Sequence, residues 1–254
     1  MEYIYHMEKL PPTEKILKKK ENIDKMHLKD ALELMIDEHT LSGKEVKKNI
    51  KNIMIAVNEI VNRLQDSNTS RIFYAGAGTS ARIGLQDGVE LYPTFGWPTE
   101  RVAFIIAGGK KSLTLAVENA EDNILDAEQE ILKHTITEKD IVIGLAASGN
   151  TPFTCKVLEL SKRKNALTIA ISNNPLGKIL KFGVINIILN TQQEVVAGST
   201  RLKAGTAQKI CLNTISTMVM TKLGFVKNGR MNNLVPTNAK LRNRAKINKQ
   251  KYDI

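Results

Sequence analysis

Apolar residues first take on a helical spacing at Leu28, with Leu28, Ala31, Leu32, Leu34, Met35 and Ile36. Gly43 punctuates this pattern. A stronger one follows, in which Val46, Ile50, Ile53, Val57, Ile60, Val61 and Leu64 recur at three- and four-residue intervals and predict a second helix. The turn-forming run Asp66-Ser-Asn-Thr-Ser70 ends it. Beyond this point short unbroken apolar runs appear, each ending near glycine, serine or asparagine: Arg71–Ala75, Arg101–Ala107, Asp140–Ala146, Ala166–Ser172 and Val184–Leu189. Stretches of helical spacing separate most of them: Ser80–Glu90, Ser112–Lys133, Pro152–Lys164 and a shorter Leu176–Phe182. A long helix, Ala204–Leu223, closes the pattern. Unbroken apolar strands alternating with helices predict an α/β fold, a parallel sheet covered on both faces. The chain thus divides into an arm with helices (residues 1–67), a sheet domain (68–225) and a tail (226–254).

Composition narrows the class. The chain has 254 residues, 42% hydrophobic and 25% charged, which is ordinary for a globular protein and argues against a disordered or fibrous one. No apolar run approaches the ~18 residues that would span a bilayer, and the first residues lack the apolar core of a secretory leader. Cys155 and Cys211 show neither CxxC nor metal-ligand spacing, so no disulfide framework or metal site is expected and a cytoplasmic setting is. The net charge of +11 raises the question of nucleic acid. Residues 226–254, however, hold eight basic residues and one acid, a net +7, and the rest of the chain only +4. The excess reads as a solvated basic tail without aromatic interleaving, so no nucleic-acid partner is expected.

Candidate chemistry sits where a parallel sheet places it, beyond the carboxyl ends of the strands. Gly76-Ala-Gly-Thr-Ser80 follows the first strand, Ala107-Gly-Gly109 the second, Ala147-Ser-Gly-Asn-Thr151 the third, Ser172-Asn-Asn-Pro175 the fourth and Gly198-Ser-Thr-Arg-Leu-Lys203 the fifth. Glycines allow close backbone approach, and free N–H groups at a helix start attract anions. Gly78, Thr79, Ser80, Ser148, Asn150 and Thr151 therefore suit a phosphate, although serine and threonine at such positions also serve as caps and turn formers. The Gly76-Ala-Gly-Thr-Ser-Ala81 run also fits a dinucleotide fingerprint. The acidic residue that would hold a ribose is missing at the end of the second strand, and no Walker lysine follows the glycines.

The run Gly198-Ser-Thr-Arg-Leu-Lys-Ala-Gly-Thr-Ala-Gln-Lys209 resembles the signature shared by N-acetylmuramic acid 6-phosphate etherases and the glucokinase regulatory protein. Tyr74–Ser80, Pro93–Gly96, Ile106–Gly109, Ala116–Asp122, Gly144–Pro152 and Thr237–Leu241 resemble further etherase segments in the same order. The resemblance spans about residues 28–247. It implies a sugar-isomerase (SIS) domain, a three-layer α/β sandwich with a five-stranded parallel sheet, and a homodimer. It implies cleavage of the lactyl ether of N-acetylmuramic acid 6-phosphate to N-acetylglucosamine 6-phosphate and D-lactate, without cofactor or metal. The chain departs from the family in Gln192-Gln193-Glu194, where Gly-Pro-Glu is usual, in Gln86–Val89 before the first acid, and in ending at Ile254 where a further helical segment is usual.

By that resemblance Glu90 and Glu121 are the catalytic pair, with the acid role assigned to Glu90 and the base role to Glu121. Ser199, Thr200 and Lys203 complete the pocket, Lys203 as a point charge for phosphate or lactate carboxylate. A helix over Ser112–Lys133 would give an apolar stripe of Leu113, Val117, Ala120, Ile124 and Ile131, with Glu121 flanking it at about 70°. The alternatives are a non-catalytic sugar-phosphate-binding regulator, a truncated inactive relative and an aldose–ketose isomerase on the same fold.

Overall fold

The computed structural model describes residues 10–18, 21–236, 239 and 241–243. Its first helix, α1 (Leu28–Lys48), does not stop at Gly43. A glycine inside a helix costs only about 1 kcal/mol, and here it is exposed with open space around it. The break falls at Asn49, whose side-chain amide donates to the carbonyls of Glu45 (3.0 Å) and Ile188 (2.7 Å) while its Oδ1 accepts from the Ile188 N–H (3.0 Å). The contact that turns the chain lies 139 residues away. Helix α2 (Ile50–Asp66) then buries Ile53, Val57, Ile60, Val61 and Leu64.

The sheet domain follows as β1 (Ile72–Gly76), α3 (Gly78–Val89), α4 (Leu91–Phe95), β2 (Val102–Ile106), α5 (Ile124–His134), β3 (Ile141–Ala146), α6 (Pro152–Arg163), β4 (Leu167–Ser172), β5 (Ile185–Ile188) and α7 (Lys203–Lys222). A two-stranded antiparallel pair, Val226–Lys227 with Arg230–Met231, comes after α7. The five main strands form one parallel sheet in the order β2-β1-β3-β4-β5, as the unbroken apolar runs predict. Alternate residues face opposite layers. Ile72 and Tyr74 join the core beneath α2 and α7, while Phe73 and Ala75 join the core beneath α5 and α6. The order reverses between β1 and β3, the switch point where open α/β sheets bind ligands.

The helix expected over Ser112–Lys133 is not formed. A 3-10 turn covers Gly109–Leu113, a second covers Ala120–Asp122, and α5 begins only at Ile124. Asn119 adopts the left-handed region at φ 57°, and Asn123 caps α5 by accepting the Asp126 N–H at 3.1 Å. The apolar stripe therefore does not exist: Val117 and Ile124 are exposed, and only Ala127 and Ile131 are buried in α5. The stretch Leu176–Phe182 likewise reduces to a 3-10 turn, Lys178–Lys181. In the tail, Thr237, Asn238 and Lys240 of the family-like Thr237–Leu241 segment lie outside the described residues.

Candidate active site

Helix α3 starts directly after β1, and its N-cap, Ala77, offers no side-chain cap. Helix α6 starts after β3 with Thr151 at the N-cap and Pro152 in the first turn, again without a side-chain cap. Two helix starts at the switch point thus keep N–H groups that an anion can take. Thr79, Ser148, Asn150 and Thr151 stand half-buried beside them, Ser80 is buried and Gly78 exposed. The loop Ser148–Thr151 is held from the β4 side: the Asn174 amide donates to the Ser148 carbonyl (2.9 Å) and the Lys178 N–H to Asn150 Oδ1 (3.1 Å). Gly149, at φ +70°, lies so close to Gly177 that a β-carbon on it would come within 2.6 Å of the Gly177 Cα.

The loops after β1, β4 and β5 meet at the start of α7. A β-carbon on Gly205 would lie 3.4 Å from both Thr79 Cγ2 and the Thr200 carbonyl. Asn173 Nδ2 donates to the Ala204 carbonyl at 3.4 Å, and Gln208 Nε2 donates to Asn173 Oδ1 at 3.0 Å. Ser199 and Thr200 are half-buried in this rim. One chain therefore brings Thr79, Ser148, Thr200 and their loops to one edge of the sheet.

The start of α7 differs from the other two. Glu194, fully buried, accepts the N–H groups of Lys203 (3.0 Å) and Ala204 (2.8 Å). Burial pushes its carboxyl above the usual range even though both N–H bonds pull it down. An internal carboxylate thus occupies this helix end, which leaves α3 and α6 as the free ones. Lys203 also departs from expectation. Its side chain is buried and its ammonium pairs with Glu38 of α1 at 2.5 Å, so the point charge expected for substrate is already neutralised within the fold. Glu38→Ala removes the direct ion-pair partner of a buried ammonium, leaving only the more distant Glu194 charge, and is expected to lower the unfolding free energy by about 3–5 kcal/mol. Urea unfolding reads this, and a loss below about 1 kcal/mol contradicts the pairing. A cation beside the loop after β3 is Lys178, close enough to Cys155 for its charge to oppose the rise, to about 11, that burial imposes on that thiol. Burial pushes Cys211 to about 12, so neither cysteine is poised as a nucleophile. Sequence reasoning singled out neither Lys178, beside the loop after β3, nor Glu194, at the start of α7. The acid retained at the Gly-Pro-Glu position is the signal for Glu194; Lys178 has none in the sequence.

The two carboxylates stand apart. Glu121 is exposed in its 3-10 turn, at the loop edge of the sheet: Gly108, just past β2, packs against Ala120, with a hypothetical β-carbon 3.1 Å from Ala120 Cβ. The helix angle that set Glu121 beside an apolar stripe loses its basis, since no α-helix covers it. Glu90 is the exposed C-cap of α3. Twelve residues of helix separate it from the phosphate-type loop at the other end, about 18 Å at 1.5 Å per residue. Among the described residues no group of three His, Cys, Asp or Glu side chains lies together as a metal site would require, and no helix is long and apolar enough to cross a membrane.

The parallel sheet, its switch point and its flanking helices define an α/β protein of the SIS fold. Among solved structures with this fold are a phosphoheptose isomerase from Francisella tularensis (TM-score 0.58, 15% identity, covering 77% of this chain and 100% of that one) and the c3406 protein of E. coli CFT073 (TM-score 0.56, 14% identity, 80% and 97%). The glucokinase regulatory protein N-terminal SIS domain matches residues 52–162. The N-acetylmuramic acid 6-phosphate etherase of Oceanobacillus iheyensis is 43% identical over 235 residues, 92% of this chain and 79% of that one. That of Staphylococcus epidermidis is 41% identical over 224 residues, 88% and 75%. The chain belongs to the N-acetylmuramic acid 6-phosphate etherase family and is a carbon–oxygen lyase.

Proposed function

We propose that this protein releases D-lactate from N-acetylmuramic acid 6-phosphate and leaves N-acetylglucosamine 6-phosphate, as a cytoplasmic enzyme of cell-wall sugar recycling. The observation that carries the reading is the 43% identity to an etherase across 92% of the chain. In this reading the sugar ring opens and the C1 aldehyde acidifies the C2 proton. Glu121 removes that proton. The C3–O bond breaks and Glu90 protonates the departing lactate oxygen. Water then adds across the C2–C3 double bond, its oxygen to C3 and a proton to C2. Two carboxylates in opposite protonation states suit such a sequence. The free starts of α3 and α6, with Thr79, Ser80, Ser148 and Thr151, hold the phosphate, Lys178 supplies positive charge, and Gly78, Asn150, Ser199 and Thr200 shape the rest of the pocket. Lactate release from the phosphorylated sugar but not from N-acetylmuramic acid itself is the expected result. Comparable turnover of both sugars, or of neither, contradicts the reading.

A second copy of the chain completes the site. Glu90 lies at the far end of α3 from the loops of its own chain, with exposed Val89 and Tyr92 beside it. Exposed Leu28, Leu32 and Ile36 on α1 offer further apolar surface for association. In a two-fold homodimer each copy lends Glu90 to the loops and Glu121 of the other, giving two equivalent sites.

A further inference from the structure

Asp87 lies in the last turn of α3, three residues before the C-cap Glu90, and is buried at 5% exposure. Three neutral donors converge on its carboxylate. Tyr74 of β1 donates to Oδ2 at 2.8 Å, while Asn213 and Ser216 of α7 donate to Oδ1 at 2.7 and 3.0 Å. The nearest cation in the network acts through an amide: Lys209 donates to Asn213 Oδ1 at 2.6 Å, and Asn213 passes its own N–H to Asp87. Burial, then the Asp87 charge, pushes the Tyr74 phenol well above its ordinary range, so it stays a donor.

A buried carboxylate of this kind is expensive unless a structural gain offsets it. An apolar pair at the α3–α7 contact would join the helices with less penalty. What the carboxylate adds is direction. Its bonds fix the last turn of α3 in both rotation and height against β1 and α7. Close packing completes the clamp, since a β-carbon at Gly88 would come within 2.6 Å of Phe104 and 2.9 Å of Tyr74. Glu90 leaves the helix at the end of that same turn, and its side chain makes no hydrogen bond among those found in the described residues.

We infer that Asp87, held by Tyr74, Asn213 and Ser216, is the positioning residue for Glu90, fixing the helix end from which that carboxylate reaches the substrate. The inference rests on the reading of Glu90 as a catalytic carboxylate. Misplacing a reacting group by about 1 Å can cost on the order of 100-fold in rate, so Asp87→Asn is expected to lower kcat by about 10- to 100-fold with KM within about twofold.

The test measures lactate release and C2 hydrogen–deuterium exchange together, in deuterated water, for the wild type, Glu90→Gln, Asp87→Asn and Ser216→Ala. Circular dichroism checks the fold of each. Asp87→Asn is expected to change the ratio of exchange to release in the same direction as Glu90→Gln, in weaker form, and Ser216→Ala more weakly still. General loosening of the fold would slow both processes in proportion. A proportional loss in Asp87→Asn, or no loss, overturns the inference while leaving Glu90 catalytic. If Asp87→Asn does not fold, Ser216→Ala and Tyr74→Phe carry the test, and wild-type kcat in both overturns it. Near-normal release by Glu90→Gln shows instead that the reading of Glu90 is wrong, and the role of Asp87 falls with it.

Discussion

Glu90→Gln and Glu121→Gln are each expected to abolish most lactate release while leaving the fold intact. Glutamine keeps the size and hydrogen-bonding reach of glutamate but cannot exchange a proton near neutral pH. A general acid or base contributes about 10²–10⁴-fold, so each variant should lose at least that range. Both carboxylates are exposed and neither supports a described side-chain network, so stability should change by less than about 0.5 kcal/mol. The two losses should differ in kind. Without the acid at Glu90, the C2 proton still exchanges with deuterated solvent while lactate stays attached. Without the base at Glu121, exchange stops as well. Steady-state release assays and proton NMR of the recovered sugar separate the cases. Near-normal release by either variant removes that residue from the catalytic pair.

Gly149→Ala should damage stability and substrate binding together. The added methyl group would come within 2.5 Å of Ser172 Oγ and 2.6 Å of the Gly177 Cα, and Gly149 sits at φ +70°. The hydroxyl could rotate away, but the Gly177 backbone is held by its N–H to Asn174 and by the Ile179 N–H to the Gly149 carbonyl (2.9 Å). Overpacking of about 1–3 kcal/mol adds to a left-handed penalty of about 1–2 kcal/mol. A loss of about 2–5 kcal/mol is expected in denaturant unfolding, together with a raised KM, because the displaced loop carries Ser148, Asn150 and Thr151. An unchanged KM in a folded variant would separate this loop from the phosphate.

The strands were legible because each is an unbroken apolar run, buried on both faces, and the loops because glycine, serine and threonine collect where those runs end. Local spacing failed where an unseen conformation or a distant contact decided the outcome. Val117, Ala120 and Ile124 have helical spacing, but Asn119 turns left-handed and Asn123 caps a helix that starts later. That cap, an asparagine before an apolar helical run, was readable in principle. Asn49 breaks a helix by bonding to Ile188, and Lys203 loses its free charge to Glu38, 165 residues away. Neither pairing leaves a local signature. The separation of Glu90 from the loops follows from the length of α3, yet resemblance alone placed Glu90 and Glu121 in one site without saying that a single chain keeps them at different ends.

Mixing the two inactive variants tests the composite site most directly. Glu90→Gln and Glu121→Gln chains, dissociated together and reassembled at equal concentration, should form about half mixed dimers by random assortment. Each mixed dimer contains one site with both carboxylates intact, taken from different copies, and one site with neither. Lactate release should therefore return to about a quarter of the wild-type rate, against the 10²–10⁴-fold deficit of each variant alone. Release no greater than the average of the two separate variants, in a sample shown to contain mixed dimers, would mean that each chain supplies both carboxylates to its own site.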